Sequence, residues 1–295
     1  MRLIVKGLLR GIAVLALLAL LGGCAMVRVA YNNAEPLVRY AAHDNFDLDE
    51  RQSEQFRNRL ARFHDWHRAN ELPLYAGLLR TAMQRGEKAI TRQDVAWAAA
   101  ELRGRYRVMI TKAVEEAAPI LATLSEEQTN DLERRIAKAN DKYAKEFLSG
   151  GEAKQLRVQA KRLVGRFKDW TGTLTERQED LIERFVKQQL GTTQMRFENR
   201  KRWQREALGL LRQHRGAQAL APRLADIFVN PEAHRTPEFR RALVIWEADL
   251  TDLVLEVERE LSPEQRAHVL NRMQRYAVDF NALANQNSVA AAAGN

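Results

Sequence analysis

His64 and His67 stand one helical turn apart in the run His64-Asp65-Trp66-His67, a spacing that could open a metal site. Zinc takes three or four protein ligands. No second HxxH or HExxH element and no cysteine pair completes the set, so no metal is expected. The packing reading puts His67 on a core seam as a hydrogen-bonded histidine, with His64 beside it. Among the carboxylates, Glu115 and Glu116 are sequence neighbours that point in different directions on a helix. A general acid and base need a shared pocket and a means of positioning substrate. The chain offers no glycine-rich loop for that, so neither catalytic nor cofactor-binding residues are assigned and no enzyme is expected.

The remaining reactive group is the chain's one thiol, Cys24. Arg2, Lys6 and Arg10 form a positive n-region, Gly11 to Leu21 is apolar, and Leu21-Gly22-Gly23-Cys24 follows. That order reads as a secretory signal over residues 1–23, ending in what resembles a bacterial lipobox. The apolar run is too short for a hydrocarbon layer of about 30 Å, which takes roughly 20 residues. Cys24 is therefore the expected lipid attachment site, its sulfur a thioether carrying acyl chains such as palmitate, and more than one chain makes anchoring stable. Ala25, rather than an aspartate, follows it. By resemblance to lipoprotein sorting, that points to the outer membrane, with the body facing the periplasm. Removal of residues 1–23 takes away three positive charges and no negative ones, so the formal charge falls from +9 to +6. In an exported protein this basicity favours anionic head groups, phosphorylated glycolipids or acidic proteins over nucleic acid.

Helices must position all of this. Glycine and proline are scarce, at 15 and 7 residues, while alanine, leucine, arginine, glutamate and glutamine dominate. Four helix starts share one grammar, a capped residue with Gln three positions on: Asp49 and Gln52, Ser125 and Gln128, Thr175 and Gln178, Ser262 and Gln265. Each predicts a capping box, and each follows a leucine (Leu48, Leu124, Leu174, Leu261) that has no staple partner and so packs into a neighbouring helix. Apolar residues recur in steps of three and four, as in Val95, Ala99, Leu102, Tyr106 and Met109, or Phe239, Leu243, Trp246, Leu250, Leu253 and Val257. Such seams need partners. The expected fold is all-α, an elongated bundle of amphipathic helices and antiparallel hairpins. Residues 24–47 read as a membrane-proximal tether or short helix, 48–149 and 152–285 as N- and C-terminal helical regions around Gly150-Gly151, and 286–295 as a disordered tail. Lys154, Arg157 and Lys161 lie opposite an apolar seam, and Arg200, Lys201 and Arg202 cluster near Phe197 and Trp203. They form a candidate surface for anionic partners, against the simpler reading of a solvated helix face.

The four starts resemble the repeated motif of the Spy and CpxP group of helical periplasmic stress proteins, which implies a chaperone-like or stress-adaptor role. Tyr31-Asn32-Asn33, Phe46-Asp47-Leu48 to Gln52, and Trp66-His67-Arg68 with Glu71-Leu72-Pro73 and Tyr75 resemble a family of uncharacterised proteobacterial lipoproteins, a domain of unknown function. That likeness implies a lipidated helical protein and supplies no activity. The expected function is non-enzymatic binding of envelope proteins. The alternatives are a structural or assembly adaptor of one envelope complex and, third, an envelope hydrolase, which requires titratable residues clustered in a cleft.

Overall fold

A computed structural model describes residues 24–213 and 216–293, with side chains described between 27 and 286. The expected signal and the Cys24 thiol lie outside the described residues. Every regular element described is helical. In order they are α1 (Cys24–Asn32), α2 (Ala34–Phe46), α3 (Glu50–Trp66), a π turn (His67–Glu71), α4 (Leu72–Arg85), α5 (Arg92–Leu121), α6 (Glu126–Phe147), α7 (Gly151–Thr171), α8 (Glu176–Gln188), α9 (Leu190–Gln213), α10 (Ala217–Val229), α11 (Pro237–Arg259) and α12 (Pro263–Ala293). No helix among the described residues is long and apolar enough to cross a membrane.

The four capped starts organise the chain. Each opens the second arm of a hairpin (α2/α3, α5/α6, α7/α8, α11/α12), and in each the N-cap side chain accepts from the backbone of the glutamine while the glutamine Oε1 accepts from the N-cap backbone. The Nε2 of each glutamine is thereby left free to donate, and it donates to another hairpin. Gln52 and Gln128 donate to each other's Oε1, at 3.1 and 2.7 Å, and to the carbonyls of Thr123 and Asp47. Gln178 and Gln265 do the same at 3.0 and 2.9 Å, reaching the carbonyls of Glu260 and Thr173. The hairpins are therefore joined in two pairs, turn to turn, with each glutamine amide satisfying a chain-reversal carbonyl that no helix would otherwise bond.

Packing follows this pairing twice over. In the first unit α2 lies on α6 and α3 on α5; in the second α7 lies on α12 and α8 on α11. Each unit also carries an insert between its hairpins, and parts of the inserts cross over: α4 packs on α12 and α10 on α5, while α9 packs both on α6 of the first unit and on α11 of its own. The first core shows this directly, since Ile110, Val114, Leu132 and Ile136 of the first unit share it with Leu208, Leu211, Leu220 and Leu224 of the second insert. A second core joins Val164, Leu181, Ile182 and Phe185 to Leu253 and Val257. Leu48, Leu124 and Leu174 are all buried in these cores, and Leu261 packs at the edge of the second. Gly150, which caps the junction between the units, has φ of 87°, a left-handed conformation that a side chain disfavours.

Three expectations change. Residues 24–47 take the helical alternative rather than the tether: Val27, Tyr31, Ala34, Val38, Ala42 and Phe46 are buried, a three-and-four spacing that seats α1 and α2 on the body. The tail expected from residue 286 continues α12 to Ala293, through an alanine run of high helix propensity. On α5 the seam is only half covered. Ile110, Val114 and Ala117 are buried, but Leu102 remains 67% exposed and Tyr106 is exposed as well.

Candidate functional site

Pro73 sets the local backbone at the most polar part of the interior. It has no N–H to give and its ring would clash with the carbonyl four residues earlier. The helix widens just before it, with the Leu72 N–H bonding the His67 carbonyl five residues back. Such π turns are frequent at functional sites. The wide turn brings His67, Arg68 and Glu71 inward together, and all three are buried, Glu71 to 1% exposure.

Tyr31 of α1 enters the same space. Its hydroxyl lies 3.0 Å from His67 Nδ1, and its ring stacks on His64 at 4.5 Å between centroids. The Arg68 guanidinium sits over the Tyr31 ring at 5.2 Å and donates to Asn32 Oδ1, Gln286 Oε1 and the Leu283 carbonyl, tying α1 and α12 to the π turn. The Glu71 carboxylate is paired with Arg105 of α5 at 3.3 Å and hydrogen-bonded by Tyr75. One turn away, Arg28 of α1 is bound at 2.7 Å to Asp279 of α12, which is buried. Residues from six elements (α1, α3, the π turn, α4, α5 and α12) thus meet in one network.

Burial governs its protonation. It pushes the His67 imidazole down to about 4, with the neighbouring His64 adding to the effect. It lowers His64 as well and raises the Tyr31 and Tyr75 hydroxyls and the Glu71 carboxyl. A neutral imidazole and a tyrosine hydroxyl in contact could pass a proton, but they lie inside packed side chains, with Phe63 and Tyr75 closing over His67. The arrangement holds elements together. No group of three His, Cys, Asp or Glu side chains able to hold a metal occurs among the described residues.

The basic residues divide. Arg157 and Lys161 of α7 are exposed, and Lys154 reaches the Ser149 hydroxyl at 3.5 Å. Arg202 of α9 is exposed, whereas Lys201 is paired with Glu198 at 2.8 Å. Arg200 does not belong to a partner surface at all. It is buried, bonded to Asn140, which in turn donates to Gln204, and stacked on Tyr143 at 4.6 Å; burial draws its guanidinium down to about 10. The physical reason is periodicity, because Phe197, Arg200, Gln204, Leu208 and Leu211 form the buried face of α9. Arg200→Ala is expected to cost about 2–4 kcal/mol by orphaning Asn140 and opening a cavity, with Arg157→Ala within about 0.5 kcal/mol of the parent. Urea unfolding compares the two. Equal effects would return Arg200 to the surface set.

Exposed apolar side chains also stand where α5 and α11 meet. Arg92 to Asp252 and Arg103 to Glu247 ion pairs stitch these helices together. Around the second pair stand Leu102, Val244 and Ile245, at 67%, 70% and 59% exposure. Exposed Arg107 and Arg240 lie on the same two helices.

Residues 44–240 match a family of unknown function (DUF6279). No curated protein and no solved structure matches the chain.

Proposed function

The chain belongs to the family of unknown function DUF6279, and from that premise we propose that it acts without catalysis, as a helical binding protein for other envelope proteins in a chaperone-like or stress-adaptor role. The observation that carries this reading is the uncovered seam. Leu102 and Tyr106 continue the apolar stripe of α5 past the point where partners cover it, and Val244 and Ile245 extend the apolar surface on α11. Contiguous exposed apolar side chains bounded by charge mark interaction surfaces in stable proteins. The shifted histidines, tyrosines and carboxyl of the π-turn network, by contrast, are buried.

In this reading the signal and lipobox send the protein to the periplasmic face of the outer membrane, with acyl chains on Cys24. Helix α1 begins at Cys24 and is fixed to the body through Tyr31, Arg28 and Asp279. A lipid there would hold the body close to the membrane surface, without a flexible spacer. Mass analysis of the N-terminal peptide from membranes tests the anchor, and an unmodified Cys24 would remove it.

The binding role is tested by diluting a denatured model client into stoichiometric protein. Suppressed aggregation is expected, and Val244→Asp with Ile245→Asp is expected to abolish most of it while shifting stability by less than about 0.5 kcal/mol per site, as for exposed positions generally. No suppression by the parent protein removes the chaperone form. The adaptor reading, one fixed partner in place of many clients, then rests on whether crosslinking in cells yields a single stoichiometric complex that the same substitutions dissolve.

A further inference from the structure

A cavity of about 380 Å³ opens where the end of α4 meets α7, α11 and α12. Its wall is almost wholly hydrocarbon: Ile90, Phe167, Val254, Leu270 and Met273, with Ala82 and Gly86 leaving room on the α4 side. Thr171, the one hydroxyl residue lining it, gives its proton to the Phe167 carbonyl. Water settles in a cavity when it finds two to four polar partners, and here the wall supplies almost none. The volume falls at the low end of small-molecule sites, roughly 300–1,000 Å³, which suits one alkyl chain and excludes a two-chain lipid.

Charge at the mouth selects the head group. Three charged residues line the cavity: Glu258, Arg266 and Arg166. Glu258 and Arg266 are paired with each other at 2.6 Å. Arg166 is exposed, and none of the ion pairs among the described residues includes it. The site therefore presents an apolar interior with one uncompensated cation at its entrance.

We propose that this cavity binds a single-chain anionic amphiphile, a fatty acid, with its chain between α4, α7, α11 and α12 and its carboxylate on Arg166. The site is separate from the α5/α11 surface and stands independently of the binding role proposed for that surface. A lysophospholipid shares one chain and one anion, so the two sources are distinguished by competition.

The full-length protein in isolated membranes is photolabelled with a diazirine-bearing fatty acid, and the labelled peptides are identified by mass spectrometry. Saturable labelling is expected on the segments around Phe167 and Leu270. It should be displaced by dodecanoate at concentrations at least fivefold below those needed for dodecanol or a lysophospholipid. Arg166→Glu, an exposed change that leaves packing intact, is expected to reduce labelling at least fivefold, and Ala82→Phe, which fills the cavity, to abolish it in protein shown by circular dichroism to be folded. Labelling that is absent, unsaturable or spread over the exposed apolar surface would overturn the proposal. So would labelling that Arg166→Glu leaves unchanged, and displacement by dodecanol as effective as by dodecanoate removes the carboxylate from it. Preferential displacement by the lysophospholipid overturns the fatty-acid assignment.

Discussion

Gln178→Ala is expected to lower stability by about 3–5 kcal/mol, a larger loss than any other single polar substitution in the second unit. Gln178 is fully buried and does three jobs with one amide. Its Oε1 accepts from the Thr175 backbone in the capping box, worth about 1 kcal/mol. Its Nε2 satisfies the Glu260 carbonyl and the Oε1 of Gln265, and each buried group orphaned by truncation costs about 1–3 kcal/mol. In a chain of this size that corresponds to a fall of roughly 6–20 °C in melting temperature. Gln178→Glu separates the jobs: it keeps the acceptor for Thr175 but cannot donate, so a loss close to that of alanine assigns the stability to the inter-hairpin donor. Combining Gln178→Ala with Gln265→Ala should cost about 1–3 kcal/mol less than the sum of the two, because both remove the same reciprocal pair. Strict additivity would mean that each glutamine serves only its own helix.

This pairing marks the limit of what the sequence discloses. The helices themselves are legible, since capped starts and three-and-four spacing are local and need no knowledge of partners. The four glutamines are legible as N3 residues for the same reason. A capping box, however, uses only the acceptor end of the amide, and the sequence says nothing about where the donor end goes. The crossing of α4 to the second unit and of α10 to the first is equally hidden, because an amphipathic face specifies that it is buried and leaves open against what. Arg200 shows an error that the spacing could have prevented: read as one of a run of cations it looks solvated, but counted in steps with Phe197, Gln204, Leu208 and Leu211 it falls on the apolar face. Of the π-turn network the spacing discloses His67, as a hydrogen-bonded core histidine, while Tyr31, Arg68 and Glu71 stand in the sequence only as separate resemblance motifs. Tyr31, Arg68 and Glu71 come together because Pro73 widens the turn and because α1 folds back on α12, a contact 251 residues apart at Arg28 and Asp279.

That network should make the protein acid-sensitive in a window set by His67. Its imidazole titrates near 4 when folded against 6.5 when free, so between those values the unfolded chain binds a proton that the folded chain refuses. Stability linked to His67 is therefore fully present above pH 6.5 and is lost as pH falls toward 4, by about 3 kcal/mol in all. His64 shifts in the same direction and adds to the loss. Glu71 acts oppositely: its carboxyl is raised by burial, so its contribution is present below its ordinary value of 4.5 and is lost as pH rises through its folded value. The His67 part is isolated by comparing the parent with His67→Asn, whose amide oxygen can still accept from Tyr31 but does not titrate. The variant is expected to be less stable at pH 7, through lost packing against Phe63 and Tyr75, and to have the flatter profile, with the gap between the two narrowing by about 3 kcal/mol from pH 6.5 to 4. Urea unfolding at half-unit steps of pH reads both curves. Parallel profiles would show that His67 takes up its proton within the folded protein at little cost, and the network would then be too open to water to fix α1 on the body in the way its geometry describes.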